Sequence, residues 1–435
     1  MKSFIDTIKN IWKIHELRGR ILTTLGFLLI YRLGSFVALP GIDPQQLDAL
    51  QNQTSDGLLG LLNMFTGGAF SQASIMALGI MPYISASIVI QLMTMAVPYL
   101  QKLQKDGESG RTKISQITRY LTVLITSFQA PGYIANLKAT LPAEAFLLSS
   151  TSFWFSSVII LVTGTMFAMW LGEKITDSGI GNGISLLIMV GIIASLPQAF
   201  LFEVGRAKPL IILVEMVILL FVILASVLLV QGVRRIPIQY AKRGASAQLS
   251  AARQYLPLKV NAAGVMPIIF AQAIMFIPIT FAGLSDSESV QTFITNFSDF
   301  SGFWYNLVFA MLIILFTYFY TAMTVNTNQM ADDLKRNGGF VPGVKPGKDT
   351  ASFLDNIMSR IVLPGSFFLA FIAILPAFAM NAGINQSFSQ FFGGTSLLIM
   401  VGVVLDTLQQ IESYLLNRHY DGLMKSGRLS GRSGM

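Results

Sequence analysis

The 435-residue chain contains no cysteine and only two histidines, and Asp, Glu, Lys and Arg together make up just 12% of it. The absence of cysteine removes disulfide frameworks, thiolate nucleophiles and sulfur-ligated metals. His15 and His419 sit near opposite ends, so no histidine cluster is available for metal binding or catalysis, and no metal or cofactor is expected. A soluble domain carries about a quarter charged residues. The shortage of charge, with 53% hydrophobic residues and a mean hydropathy of +0.62, instead describes a polytopic membrane protein.

What the chain has in quantity is long apolar runs, at Ile21–Leu39, Ser74–Pro98, Ile117–Leu137, Phe153–Leu171, Ile184–Leu201, Leu210–Val230, Val260–Gly283, Phe303–Val325, Ile361–Met380 and Thr395–Leu415. A membrane-crossing helix needs roughly 20 residues, so these runs predict ten helices, and an even number leaves both termini on one side. Residues 1–20, 101–119, 172–183, 231–259, 331–360 and 416–435 hold 26 of the 30 Lys and Arg. Basic residues favour the cytoplasmic side, so both termini are predicted to be cytoplasmic.

Residues 1–16 space Phe4, Ile5, Ile8, Ile11 and Trp12 as on one helix face, with Lys2, Lys9 and Lys13 between them. That pattern predicts an amphipathic helix on the cytoplasmic membrane surface. It does not fit a signal peptide, because the following run is long enough to span and lacks a small-residue cleavage site. Two cytoplasmic loops, 231–259 and 326–360, exceed the roughly 12–15 residues beyond which loops are usually functional or disordered. The first carries Arg234, Arg235, Lys242, Arg243, Arg253 and Lys259. These residues read either as a topology signal or as a docking platform for a cytosolic partner. On the outer side, N-x-S/T patterns at Asn52, Asn296 and Asn385 are of the kind polar loops produce by chance.

Ten spans divide naturally into two fives. The division expected is residues 21–204 and 210–415, joined by an outer hinge at 205–209 and flanked by residues 1–20 and a basic tail at 416–435. Pro82 and Pro267 fall in corresponding second spans of the two halves and read as matching interruptions, a pointer to an inverted repeat with its pathway at the interface. Charges inside membranes usually mark solute or ion routes, and the candidates are Arg32, Glu215 and Asp406. Arg32 lies 12 residues beyond Arg20, about 18 Å along a helix, within reach of the outer interface by snorkelling. Structural pairing is the favoured reading of all three, and no helix carries the repeated carboxylates of a proton relay.

Ile80 and Ile84 share one helix face, with Ile88 further along it. Alone, such a stripe reads as packing or lipid contact; it becomes a gate only if isoleucines from other helices meet it. Two glycine-rich stretches resemble nucleotide sites superficially. Gly179-Ile-Gly-Asn-Gly183 has no preceding strand, and Gly343-Val-Lys-Pro-Gly-Lys-Asp-Thr350 has one residue too few for a phosphate loop, so both read as rigid loop geometry.

Several motifs in order resemble the SecY/Sec61-alpha family, the central subunit of protein-translocation channels. They are ASIMALGIMPYISASIVIQLM (73–93), MWLGEKITDSGIGNGISLLI (169–188), RRIPIQYAKR (234–243), LPLKVNAAGVMPIIFA (256–271), GGFVPGVKPG (338–347) and FGGTSLLIMV (392–401). The resemblance implies an all-α clamshell of two inverted five-helix halves around an hourglass pore. It implies a constriction ring of Ile80, Ile84, Ile188, Ile269 and Ile399, and a plug at about 58–70 that includes Leu58, Leu61, Leu62, Met64, Phe65, Gly67, Gly68 and Phe70. Independently, that segment is too short to span, and Gly67-Gly68 supply a hinge.

Ser87, Gln91, Gln129, Asn261 and Ile274 would lie at a lateral gate through which signal sequences leave into lipid, although helix packing explains the two glutamines almost as well. Arg234, Arg235, Lys242, Arg243, Lys335, Arg336 and Lys345 would face the ribosome and the SecA motor ATPase. Lys345 stands where bacterial members usually have arginine, which keeps the charge but loses the planar fork of donors. The expected function is a non-enzymatic protein-conducting channel in the bacterial plasma membrane, assembled with SecE-like and SecG-like subunits, with no DNA binding. The competing reading is a secondary transporter of a small solute, which would place polar ligands where this chain has isoleucines. An intramembrane enzyme lacks any catalytic constellation.

Overall fold

Each of the ten apolar runs contains a helix in the computed structural model of the protein, which describes residue 12, residues 14–47, residue 50 and residues 57–240, 254–280 and 301–426. The surface helix predicted over residues 1–16, Asn52, Asn296 and the last nine residues of the basic tail lie wholly or largely outside the described residues. The helices are α1 (His15–Gly34), α2 (Gly57–Phe65), α3 (Met81–Ala96), α4 (Pro98–Lys105), α5 (Gly107–Thr140), α6 (Ser150–Ser178), α7 (Gly183–Arg206), α8 (Pro209–Gln231), α9 (Met266–Thr280), α10 (Phe303–Thr324), α11 (Thr327–Arg336), α12 (Lys348–Asn381), α13 (Gln386–Ser389) and α14 (Gly394–Ser426).

Among the described residues, six helices are long and apolar enough to cross a membrane unaided, and α3 with α4, bent by 98° at their junction, would make a seventh if counted as one span. The other three apolar runs fall short for identifiable reasons. The α1 helix carries Glu16, Arg18 and Arg20 at its start and Arg32 near its end, and the charge-free stretch of α5, residues 120–137, is diluted by Gln129, Pro131, Gly132 and Asn136. The 15 residues of α9 rise only about 22 Å against a hydrocarbon core of about 30 Å.

Backbone contacts divide the chain into two units, one formed by residues up to Phe200 with those from Val403 onward, the other by Leu201–Gly402. The core of the first gathers Leu39, Leu47, Phe70, Ala130, Ile134 and Phe153 around the non-helical stretch between α2 and α3. Within α5, Thr118, Thr122 and Thr126 are buried at four-residue spacing, and each hydroxyl donates to the carbonyl four residues earlier at 2.7–2.9 Å. That local bond lets a polar side chain sit on a packed helix face.

The second unit corrects the all-α expectation. The loop read at 231–259 folds into strands β1 (Val233–Tyr240) and β2 (Gln254–Lys259), and β3 (Gly339–Phe340) from the other long loop joins them in an antiparallel sheet of order β2-β1-β3. Strand β1 alternates as a half-buried strand should, with Ile236 and Ile238 inward and Arg235, Pro237 and Gln239 outward. Proline is tolerated there because β3 reaches only Gln239 and Tyr240. Beneath the sheet, Ile236, Leu258 and Val341 pack on Leu354, Met358 and Val362 of α12.

The two prolines also differ from expectation. Pro82 and Pro267 are each the second residue of their helix, α3 and α9. A missing N–H costs nothing at that position, because it has no intrahelical acceptor. They therefore start helices that follow non-helical turns, at 66–80 and 260–265, rather than interrupting spans. The hinge expected at 205–209 is shorter than read, since α7 runs to Arg206 and α8 starts at Pro209.

Close backbone approach makes some glycines irreplaceable. A Cβ at Gly164 of α6 would stand 2.0 Å from the carbonyl oxygen of Ile75, whereas one at Gly132 of α5 would meet nothing within 4 Å. Gly164→Ala is expected to destabilise the protein by about 1–3 kcal/mol, read as a lowered thermal unfolding midpoint in detergent, while Gly132→Ala leaves it unchanged or slightly raised.

Candidate functional site

The short helix α2 has nine residues and cannot span. It is ended by its own glycines. The Gly68 N–H donates to the Asn63 carbonyl at 2.8 Å and the Gly67 N–H to that of Met64 at 3.0 Å, with Gly67 at φ +66°. This is the Schellman closure, which needs a left-handed residue after the helix. The turn that follows is tied down by side chains: Asn63 Oδ1 accepts from the Ser71 N–H at 3.0 Å, and the Tyr133 hydroxyl donates to the Phe70 carbonyl at 2.8 Å. Met64, Phe65, Gly67 and Phe70 are buried, Leu62 and Gly68 half-buried, and Leu58 and Leu61 lie on the helix backbone.

Arg32 belongs here too. Its guanidinium donates to the carbonyl of Gly67 and lies 4.8 Å from the centre of the Phe36 ring. It therefore turns inward to the end of α2, which corrects the outward snorkelling expected of it.

Of the five isoleucines, Ile80, Ile84 and Ile188 lie in the first unit and Ile269 and Ile399 in the second. Ile80 is the residue just before α3, and its carbonyl accepts from the Ile84 N–H at 3.1 Å, so the one-turn spacing read from sequence holds across the helix start. Ile80, Ile84, Ile188 and Ile399 are buried and Ile269 is half-buried.

Gln91 donates to Ser87 Oγ on its own helix at 3.3 Å, and its Oε1 is buried without a partner among the described residues. Asn261 Oδ1 is likewise buried and unpaired, while Gln129 and Ile274 are half-buried. On the second unit's sheet, Arg234 and Arg235 of β1 are exposed, as are Lys335 and Arg336 in the last turn of α11 and Lys345 between β3 and α12. Val341 anchors that last loop in the core, and the Lys345 carbonyl accepts from Thr350 Oγ1 at 2.8 Å. Lys242 and Arg243 lie outside the described residues.

The glycine-rich turn at 179–183 is rigid for reasons invisible in its own sequence. Thr24 Oγ1 accepts from the Ile180 N–H at 3.0 Å, Gln410 Oε1 from the Gly181 N–H at 2.9 Å and Thr176 Oγ1 from the Gly183 N–H at 2.9 Å. Arg20 adds a weak bond to the Gly179 carbonyl at 3.4 Å and a cation-π contact with Tyr414 at 5.2 Å. Every backbone donor that a phosphate would seek in that stretch, apart from Asn182, is already engaged or lies inside the turn.

Of the three candidate membrane charges, Asp406 is exposed and Glu215 is buried with Oε2 unpaired among the described residues. Two structurally committed carboxylates escaped the sequence reading. Glu203 is buried and accepts from the Asn385 N–H at 3.0 Å, and Glu173 takes a two-pronged ion pair from Arg119 at 2.7 and 3.3 Å. Asn385 itself is a cap, its Oδ1 accepting from the Ser387 N–H at 2.9 Å. No spacing rule points to either pairing, because the partners come from different elements.

Comparison with known proteins identifies the family of the chain. The SecY family model matches residues 74–408. The SecY subunit of protein translocase from Escherichia coli K12 is 42% identical over 426 residues, and that from Vibrio cholerae 43% identical over 430, each alignment covering 96% of both chains. Among solved structures, a protein-conducting channel superposes with a TM-score of 0.59 at 16% identity over 91% of this chain and 92% of that one. A SecY protein whose plug domain is described as stabilising the closed channel gives 0.60 at 16% over the same shares. Sec61 from the canine ribosome-channel complex gives 0.55 at 15% over 91% and 92%. The remoter structures establish the fold, and the close relatives along nearly the whole length establish that the chain belongs to the SecY family.

Proposed function

We propose that this protein is the pore-forming subunit of a protein translocase, a channel that passes unfolded secretory polypeptides across the bacterial plasma membrane and releases transmembrane segments sideways into lipid. The observation that carries the reading is membership of the SecY family over 96% of the chain, joined to isoleucine at all five positions where the family's constriction falls. A collar of isoleucines excludes water by dewetting and offers a passing chain neither charge nor hydrogen-bonding pattern. That indifference suits a conduit for any sequence. A small-solute transporter needs fixed polar ligands at its midplane, and these five positions supply none.

In this reading the ten helices all cross the membrane in two inverted halves, with both termini cytoplasmic, as the Lys and Arg distribution supports. Helix α2 and the turn after it form the plug. Gln91 and Asn261 belong to the lateral gate. Each holds a buried amide oxygen that is unpaired among the described residues, a state that costs about 1–3 kcal/mol and that a polar group on an arriving segment relieves. The exposed Arg234, Arg235, Lys335, Arg336 and Lys345 dock cytosolic partners, a SecA-like motor and the ribosome. Small subunits like SecE and SecG complete the membrane assembly.

Three outcomes are expected. Replacing Ile80, Ile84 and Ile188 together with Ser raises resting ion conductance in planar bilayers roughly tenfold, which corresponds to about 1.4 kcal/mol lost from the closed state; conductance equal to the parent's counts against the collar. Deleting residues 58–70 lengthens channel openings while the complex still assembles, and a complex that fails to form rejects the plug assignment. Reversing Arg234 and Arg235 to Glu weakens SecA or ribosome binding at low salt, with the difference shrinking as the screening length falls from about 10 Å at 0.1 M toward about 3 Å at 1 M. Unchanged binding leaves topology as the arginines' only role.

A further inference from the structure

Arg32 is a cation on an apolar helix, and both ion pairs found among the described residues belong to other arginines, Arg20 and Arg119. A guanidinium in such surroundings must find acceptors elsewhere. It finds the carbonyl of Gly67 and the face of Phe36. That carbonyl has a matching need. The Schellman closure of α2 uses the carbonyls of Asn63 and Met64, which leaves the oxygen of Gly67 outside the helix on a residue that is buried. A buried carbonyl without a donor is costly, and Arg32 supplies the donor. The arginine also stands at the carboxyl end of α2, where the helix dipole favours a positive charge.

A second, independent contact holds the same turn. Gly191 of α7 faces the backbone of residues 64–67 so closely that a Cβ there would lie 2.7 Å from the Phe65 oxygen and 3.0 Å from the Gly67 nitrogen. A Cβ on Gly67 would in turn lie 2.8 Å from Arg32 Nη1 and 2.9 Å from Gly191 Cα. The turn is therefore pinched between a charged donor on α1 and a side-chain-free notch on α7.

We propose that Arg32 is the positioning residue that keeps α2 seated, a charge-assisted latch from the first helix onto the Gly67 carbonyl, with Gly191 as the notch that receives the turn. The proposal rests on α2 being the plug, and it says what sets the threshold for unseating it. Leaving the seat breaks a hydrogen bond to a charged group, and such bonds shift a two-state balance by roughly ten- to hundredfold. Lysine at position 32 keeps the charge but not the fork of donors, so it holds the seat less well than arginine and better than a neutral residue.

The test uses the full channel complex reconstituted with its small subunits. Because the chain has no cysteine, Leu62→Cys gives a single attachment point for a spin label on α2. Arg32→Ala and Arg32→Gln are expected to mobilise the label and raise resting open probability about tenfold or more. Arg32→Lys should fall between them and the parent, and thermal unfolding of the complex should stay unchanged. Gly191→Ala, which displaces the turn without touching Arg32, should mobilise the label in the same direction. If Arg32→Ala fails to assemble, Arg32→Lys and Gly191→Ala carry the test. Parental label mobility and parental leak in the variants overturn the latch. Deletion of residues 58–70 measured alongside separates the two ideas: a leaky deletion with silent Arg32 variants rejects the latch and keeps the plug, whereas a tight deletion rejects the plug assignment and with it the gating role given to Arg32.

Discussion

Inside a bilayer or a tightly packed helical bundle there is no water to pair with a peptide group, so every stretch that is not helical must find its partners within the protein. That constraint governs the segment between α2 and α3. Residues 66–80 form no regular element, yet the Leu39 N–H reaches the Ala73 carbonyl at 2.8 Å and the Ile75 N–H reaches that of Val37 at 2.9 Å. Thr66 Oγ1 takes the Phe70 N–H at 3.3 Å, and the Ser74 hydroxyl takes that of Met76 at 3.1 Å. With Tyr133 and Arg32 covering the carbonyls of Phe70 and Gly67, an irregular peptide becomes a fixed object.

Such a segment is held by a handful of polar bonds rather than by its own helical ladder. Those bonds, with Phe70, Ala73 and Ala77 packed into the core of the first unit, give it one defined position. Ile80, Ile84, Ile188 and Ile399 are buried with no directional bond from their side chains, since a hydrocarbon side chain has no donor or acceptor.

The small sheet of the second unit follows different rules, because one of its faces meets solvent. There, Ile236 and Leu258 turn one face of a small sheet onto α12, and Arg234 and Arg235 at the start of β1 are exposed. The charge run is thus mounted on hydrogen-bonded strands with a packed underside.

Much of the design was legible in the residues. The positions of the helices, the shortness of α2 and the one-turn spacing of Ile80 and Ile84 follow from apolar run lengths and helical period, which are local properties. The strand alternation in Arg-Ile-Pro-Ile-Gln was also present, but the surrounding charge and the length of the loop masked it. Chain pattern alone likewise fixed which residue types line the chain's apolar runs and where its basic charge concentrates. The tertiary structure alone decided that Pro82 and Pro267 begin helices after non-helical turns, that Glu203 serves Asn385, and that Thr24 and Gln410 lock the turn at 179–183. It also decided that Arg32 faces the end of α2. Each of these depends on which distant backbone group comes to lie beside a given side chain, and no periodicity along the chain encodes that proximity.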